Sequence, residues 1–324
     1  MDLQADQSAA ATPPGGAHVD PVPRVAVLLA TYNGISFISD QVESLLKQES
    51  CAVDIWVSDD QSTDGTWEWL CGRAAGEARM SLLPRVERFG NAARNFYRLM
   101  QDVDFSRYQY VALSDQDDIW YLEKLALSMG QLRERKAAAV SSDVIALWPD
   151  GRKELIRKSQ KQRGLDFLFE SAGPGCTYVM TAPCAAAFKE FLARNRRAVA
   201  AVQFHDWMIY AWVRAHGFTW YIVPRPTMLY RQHDRNEHGA NRGWAAFRRR
   251  LAQVRSGWYR EQILQISRLV RDGTSFTAEC AAAMRLVEAR GILSRIALAA
   301  KVRRLRRELK DRAWLFLACM LGGI

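Results

Sequence analysis

The sequence predicts an α/β protein built on a doubly wound, mostly parallel sheet, and three observations carry that prediction. Short continuous apolar runs alternate with helix-period segments through the first 150 residues. The runs are rich in Val, Ile and Leu, the composition of strands buried on both faces. Three of them end in polar punctuation, at Thr31-Tyr32-Asn33, Asp59-Asp60 and Asp115-Gln116-Asp117. In such sheets ligands bind beyond the carboxyl ends of the strands, so these ends are the expected site.

Residues 1–23 are polar and rich in Ala, Pro and Gly, and are expected to be disordered. Val25–Ala30 is the first strand, followed by a helix with Ile38, Val42, Leu45 and Leu46 at helical spacing. Val53–Ser58 is the second strand. Asp64 is placed to cap the helix carrying Trp67 and Leu70. A third strand is expected near Leu82–Glu87, then a helix over Asn91–Asp102 and a strand over Tyr110–Ser114. A helix over Tyr121–Arg135 and a strand over Ala138–Ile145 continue the pattern. Residues 149–166 read as a polar, basic loop. Gly173-Pro174-Gly175 forms a turn before Tyr178-Val179-Met180, and an Ala-rich helix carries Phe188, Phe191 and Leu192. Met208–Ala215 is a helix closed by Gly217, and the strand Thr219–Val223 is expected to stop at Pro224. From about Asn241 the chain reads as helices.

Charge divides the molecule. Residues 241–324 hold 18 Lys and Arg against 6 Asp and Glu, a net +12, whereas residues 1–240 carry −2. An anionic surface or partner is therefore expected for the C-terminal part alone. Leu298, Val302, Leu305 and Leu309 form an apolar stripe among Lys301, Arg303, Arg304, Arg306, Arg307 and Lys310, ahead of the apolar Trp314–Leu321. This basic amphipathic segment, 294–321, suits the anionic face of a membrane; packing on the main domain or on a second subunit is the alternative. No nucleic-acid recognition motif accompanies the charge, so nucleic acid is not an expected partner. The six cysteines form no CxxC pair and read as reduced, mostly buried thiols of a cytoplasmic protein. No secretory signal and no run of the ~20 apolar residues needed to span a bilayer is visible.

Asp115, Asp117 and Asp118 follow an apolar run directly. Carboxylates this close repel one another unless a cation neutralises them, and Asp115 and Asp117 point the same way in an extended chain. A hard divalent cation such as Mg²⁺ or Mn²⁺ suits them, leaving sites for phosphates. Alternatively Asp117 or Asp118 caps a helix starting near Ile119. Asp59 and Asp60 either serve a ligand or simply end their strand, and Asp206 is equally placed to cap a helix.

Taken together, six stretches resemble family 2 glycosyltransferases of the GT-A fold over about Val25 to Asn241. They are Ala30-Thr31-Tyr32-Asn33-Gly34, Ser58-Asp59-Asp60 with Ser62–Thr66, Ser114–Trp120, Gly175-Cys176-Thr177, His205-Asp206-Trp207 and Tyr230–His233. The nearest branch includes bacterial rhamnosyltransferases and other enzymes of surface-polysaccharide assembly. Arg88-Phe89-Gly90 departs from the family's Asn-x-Gly.

The resemblance implies inverting transfer of a sugar from a nucleotide-diphosphate donor, dTDP-rhamnose among the options, to a hydroxyl of a saccharide or lipid-linked acceptor. Asp117 would hold the metal. Asp115 would contact the ribose and reach the metal through water. Asp60, or Asp59, would accept from the base, with Thr31, Tyr32 and Asn33 beside it. Asp206 would be the general base. Gly175, Cys176, Thr177 and Trp207 would lie at the acceptor. Arg231 and His233 would clamp the diphosphate or help hold the metal, or belong to a lid. The expected setting is the inner face of the cytoplasmic membrane. Two other functions compete: a nucleotidyltransferase, which lacks a Gly-rich phosphate loop here, and a non-catalytic scaffold, against which the retained Asp115, Asp117 and Asp206 speak.

Overall fold

The computed structural model describes residues 22–233, 252 and 256–324. The expected disordered segment therefore lies outside the described residues except for its last two, as do Asp234–Asn236 and the start of the C-terminal region near Asn241.

Nine strands form one sheet: β1 (Arg24–Thr31), β2 (Ala52–Asp59), β3 (Met80–Leu82), β4 (Tyr110–Ser114), β5 (Ile119–Trp120), β6 (Ala139–Leu147), β7 (Lys153–Ile156), β8 (Val179–Thr181) and β9 (Trp220–Arg231). Their order is β3-β2-β1-β4-β8-β6-β9-β5, with β7 on β6. The long ladders, β1 with β2 and β4 and β6 with β9, are parallel; β8, β7 and β5 add short antiparallel pairings. Among the described residues, the sheet is flanked by α1 (Ile38–Leu46), α2 (Thr66–Ala75), α3 (Ala92–Asp102), α4 (Lys124–Glu134), α5 (Ala182–Arg194), α6 (Arg196–Val199) and α7 (His205–Ala215).

The strand period of two separates the two cores. Val25, Val27 and Leu29 of β1 pack with Ile38 and Val42 of α1 and Leu125 and Met129 of α4. Ala26 and Leu28 face the other way, toward Phe96 of α3, Phe188 of α5 and Ile209 of α7.

Several elements differ from the sequence expectation. Ile119–Trp120 is a strand paired with Met228 and Leu229, and α4 begins only at Lys124; neither Asp117 nor Asp118 caps a helix. The third strand stops at Leu82, since Pro84 offers no N–H to extend the ladder. Part of the expected loop, Lys153–Ile156, is β7, an edge strand held by β6. β9 continues through Pro224 and Pro226 to Arg231 because the ladder to β6 shifts register there, between Ser142 and Ile145, and absorbs the missing donors. Gly65, with positive φ, occupies the cap position of α2; Asp64 still accepts from Thr66 N and Ile35 N.

The C-terminal chain forms helices Trp258–Val270, Ala278–Ala289, Ile292–Ala299, Val302–Leu305 and Leu309–Met320. The expected continuous stripe is thus broken twice. Leu298 and Leu305 turn inward and join the core that contains Trp207 and Trp212. Arg307 is buried against Asp166 and Glu170, not spread on an amphipathic surface.

Candidate active site

Loops from the carboxyl edge converge on a cavity of about 330 Å³. Its lining includes Thr31 at the end of β1 and Tyr32 just beyond it, Asp60 after β2, Asp115, Gln116 and Asp117 after β4, Gly175, and His205 and Asp206 from the first turn of α7. Residues almost 180 apart in sequence thus share one space.

The two adjacent acids after β1's neighbour divide their work. Asp59 is buried, accepting from Thr31 Oγ1 (3.0 Å) and Ser62 N (2.9 Å) and pairing with Arg85 at 3.3 Å. It holds the strand end and does not line the cavity. Asp60 does line it, and its carboxylate accepts from Phe89 N and from Gly90 N (2.9 Å). The unusual Arg88 reaches back over the Tyr32 ring, 4.7 Å from its centroid, and donates to the Tyr32 hydroxyl. Asn33 is not part of the cavity lining; its Oδ1 accepts from Thr63 N at 2.8 Å. Gln116 grips the Tyr32 peptide from both sides, donating to Tyr32 O and accepting from Tyr32 N at 2.8 Å each. A Cβ on Gly34 would lie 2.2 Å from Gln116 Oε1, so this grip requires glycine.

Below the cavity the acidic cluster tightens. Asp115, Asp118 and Cys176 offer atoms within 4.8 Å of one another. Asp118 is fully buried; burial, then Asp117 and Asp115, push its carboxyl well above the usual carboxylate range. Its Oδ1 accepts from Arg231 N at 3.3 Å, while Oδ2 is buried with no hydrogen-bond partner among the described residues. Asp117 bonds His233 Nε2 at 2.9 Å, and that ring stacks on Phe37. Clustered carboxylates with an unsatisfied buried oxygen fit a hard divalent cation. Cys176 is a soft donor, packed against Met228 and wholly buried; neither it nor the buried Thr177 lines the cavity. Lys124, fully buried, donates to Cys176 O and sits 3.2 Å over the Trp120 ring. Burial lowers its ammonium to about 7.

Asp206, in the first turn of α7, lines the same cavity as Asp60, Asp115 and Asp117. Burial raises its carboxyl to about 6, against the lowering effects of Trp207 N–H, Ser171 and Lys158. It occupies the first helical turn but does not cap α7, whose cap position is Phe204. His205 stacks on Phe96, and a Cβ on Gly175 would lie 2.2 Å from His205 Nε2. Gly175 therefore lets α7 close on the turn. Trp207 is buried, donating its indole N–H to Phe167 O at 3.0 Å. Arg231 pairs with Asp40 and lies over Phe37, and lines no part of the cavity.

Residues 26–195 match the family model "Glycosyl transferase family 2". The chain is also 38% identical over 296 residues to the dTDP-rhamnosyl transferase RfbG of Shigella flexneri, covering 91% of this chain and 99% of that protein. The chain belongs to glycosyl transferase family 2. It is a glycosyltransferase, with the mixed α/β architecture and C-terminal helices described above. A second relative, the "Putative teichuronic acid biosynthesis glycosyltransferase TuaG" of Bacillus subtilis, is 32% identical over 117 residues, 36% of this chain and 44% of that one. Among solved structures, S. aureus TarS 1–349 superposes with a TM-score of 0.54 at 12% identity, covering 93% of this chain and 81% of that one. The mannosyltransferase PcManGT of Pyrobaculum calidifontis, solved with GDP-Man and Mn²⁺, gives 0.50 at 17% identity, covering 94% and 86%. These likenesses speak for the fold.

Sequence reasoning picked out Thr31, Tyr32, Asp60, Asp115, Asp117, Gly175 and Asp206, which share the cavity. It missed Arg88, whose departure from the family pattern was visible, and Gln116, which stands inside the acidic motif. Lys124 has no sequence signature; it reads as an ordinary helix lysine.

Proposed function

We propose that the protein transfers a sugar, with inversion, from a nucleotide-diphosphate donor to a hydroxyl of a saccharide or lipid-linked acceptor in surface-polysaccharide synthesis. The observation that carries this reading is one cavity lined by Asp60, Asp115, Asp117 and Asp206 together. The 38% identity to a dTDP-rhamnosyl transferase along nearly its whole length favours dTDP-rhamnose as donor.

In this mechanism Asp60 and the Thr31–Tyr32 backbone hold the base, and Asp115 the ribose. Asp117 and Asp115, with Asp118 and His233 supporting them, would hold Mg²⁺ or Mn²⁺. When bound, such a cation stabilises the charge that develops on the leaving diphosphate. Arg88, over Tyr32, adds a fixed positive charge at the mouth. Asp206 takes the proton from the acceptor hydroxyl as its oxygen attacks the anomeric carbon; a carboxyl raised to about 6 is still ionised at neutral pH and is a stronger base than an ordinary aspartate. Calorimetric titration with dTDP, UDP and GDP, each with and without Mn²⁺, tests the donor site. Metal-dependent binding of dTDP is expected, with Asp117→Ala weakening it at least tenfold; binding of no nucleotide by the folded protein would sink the proposal.

The same reading places the protein at a membrane surface. No helix among the described residues is long and apolar enough to cross a bilayer. Yet Leu293, Ile296, Phe316 and Met320 are exposed on two C-terminal helices that pack together, with Arg295, Arg303 and Lys310 on the same region of chain. Apolar side chains amid basic ones suit anionic headgroups. Co-sedimentation with phosphatidylglycerol vesicles but not phosphatidylcholine vesicles is expected, with Leu293→Ser/Phe316→Ser reducing it. Equal sedimentation of both proteins would count against this placement.

A further inference from the structure

A second cavity, of about 260 Å³, also has Asp206 in its lining. Phe204 and Asp206 line both cavities, so the two spaces adjoin at the proposed base. The near wall comes from the catalytic fold, including Lys158, Glu170 and Ser171. The far wall is built by the C-terminal helices, through Trp258 and Tyr259 at the start of one and Asp311 and Trp314 in the last. Pocket-forming aromatics are held in fixed orientations. Trp258 packs edge-on to Phe204 at 5.4 Å and donates its indole N–H to Gln203 Oε1 at 3.0 Å. Tyr259 stacks on Trp207 at 5.6 Å and donates its hydroxyl to Phe169 O.

The lining decides the ligand class. Its cations, Lys158 and Arg306, face the carboxylates Glu170, Asp311 and Asp206, and Arg306 already pairs with Glu170 at 3.5 Å. Such a balance does not favour an anion. Aromatic faces combined with scattered polar groups instead match a sugar ring, which has an apolar C–H face and a polar edge of hydroxyls. The volume is near the lower end of small-molecule sites, roughly 300–1,000 Å³, and fits the end of a saccharide rather than an extended polymer.

We infer that this cavity is the acceptor subsite, that it takes a neutral saccharide end against Trp258 and Trp314, and that it presents a sugar hydroxyl to Asp206. The C-terminal helices are then part of the substrate site as well as of the core. The inference rests on the proposed role of Asp206 as base.

Saturation-transfer NMR on the full chain, with dTDP and Mn²⁺ present, tests it. The probes are methyl and octyl glycosides of rhamnose, glucose, galactose, mannose and N-acetylglucosamine. At least one glycoside is expected to bind saturably. Trp314→Ala and the more conservative Trp258→Leu should each weaken it tenfold or more, while dTDP affinity stays within twofold of wild type. That unchanged nucleotide affinity also shows that the variants are folded. Tighter binding of octyl than methyl glycosides would point to a lipid-linked acceptor; equal binding would point to a free saccharide end, and both support the subsite. No saturable binding of any glycoside, or equal affinity in both variants, overturns the inference. Failure of wild type to bind dTDP is a different result: it overturns dTDP as the donor nucleotide.

Discussion

Burial of Asp206 sets folding against the chemistry proposed for it. An unfolded aspartate titrates near ~3.9, and the folded one near about 6. The native state therefore binds this proton more tightly than the unfolded chain, so stability is lost as pH rises between those values. Asp206→Asn keeps an oxygen for Trp207 N–H (2.7 Å in the native protein) but removes the buried charge. The variant should be at least as stable as wild type at pH 7, by up to about 3 kcal/mol, while transfer falls roughly 10²–10⁴-fold. Thermal denaturation and turnover together check this; a destabilised variant with normal turnover would remove Asp206 from the mechanism. In the wild type, kcat/KM should fall about tenfold per pH unit well below 6. Asp59 and Asp60 show the reach of sequence at this scale. Alternation along β2 puts the two acids on opposite sides, but not which side holds the cavity. That is decided by Thr31, Ser62 and Arg85, which take up Asp59.

Among the elements, the turn before β8 and the first turn of α7 must meet at van der Waals distance. Gly175 makes that contact possible, since His205 Nε2 occupies the place of any Cβ. Gly175→Ala should move His205 and Asp206 together. A loss of about 1–3 kcal/mol from overpacking is expected, with kcat reduced far more than nucleotide affinity; calorimetry beside steady-state kinetics separates the two. Unchanged kcat would mean that α7 tolerates the shift. The alternative that Asp117 or Asp118 caps a helix is excluded by a pairing that no local stretch reveals. Ile119-Trp120 is too short to show a strand period, and its partner, Met228-Leu229, lies more than 100 residues away. β9 was likewise cut short at Pro224, because a register shift against β6 cannot be seen from one strand alone.

At the scale of the molecule the C-terminal helices are welded to the catalytic fold. Ile263, Leu298, Leu305 and Leu315 share one core with Phe96 and Trp207. Arg307, 2% exposed at its side chain, pairs with the fully buried Asp166 at 3.2 Å and donates to Ser171 O. Arg307→Ala leaves Asp166 with Arg214 at 3.2 Å and the Tyr210 hydroxyl at 3.1 Å but removes a buried ion pair and the bond to Ser171 O, and should cost about 1–3 kcal/mol. Unfolding should remain a single transition in wild type and variant alike. Two separated transitions would show that the helices form an independent domain. The match to the Shigella relative covers 91% of this chain and so reaches well beyond the family model's end at residue 195, as a shared core requires.

Sequence by itself determined the alternation of strands and helices, the polar ends of β1, β2 and β4, and the family. Those features are local: a period of two or 3.6, or residue types that chemistry demands at adjacent positions. Tertiary structure alone decided which acids share a cavity, that Lys124 and Arg307 are buried cations, and that the basic C-terminal chain builds a wall beside Asp206. Burial and pairing depend on segments far apart in the chain, and a charged side chain looks the same in sequence whether water or another charge surrounds it.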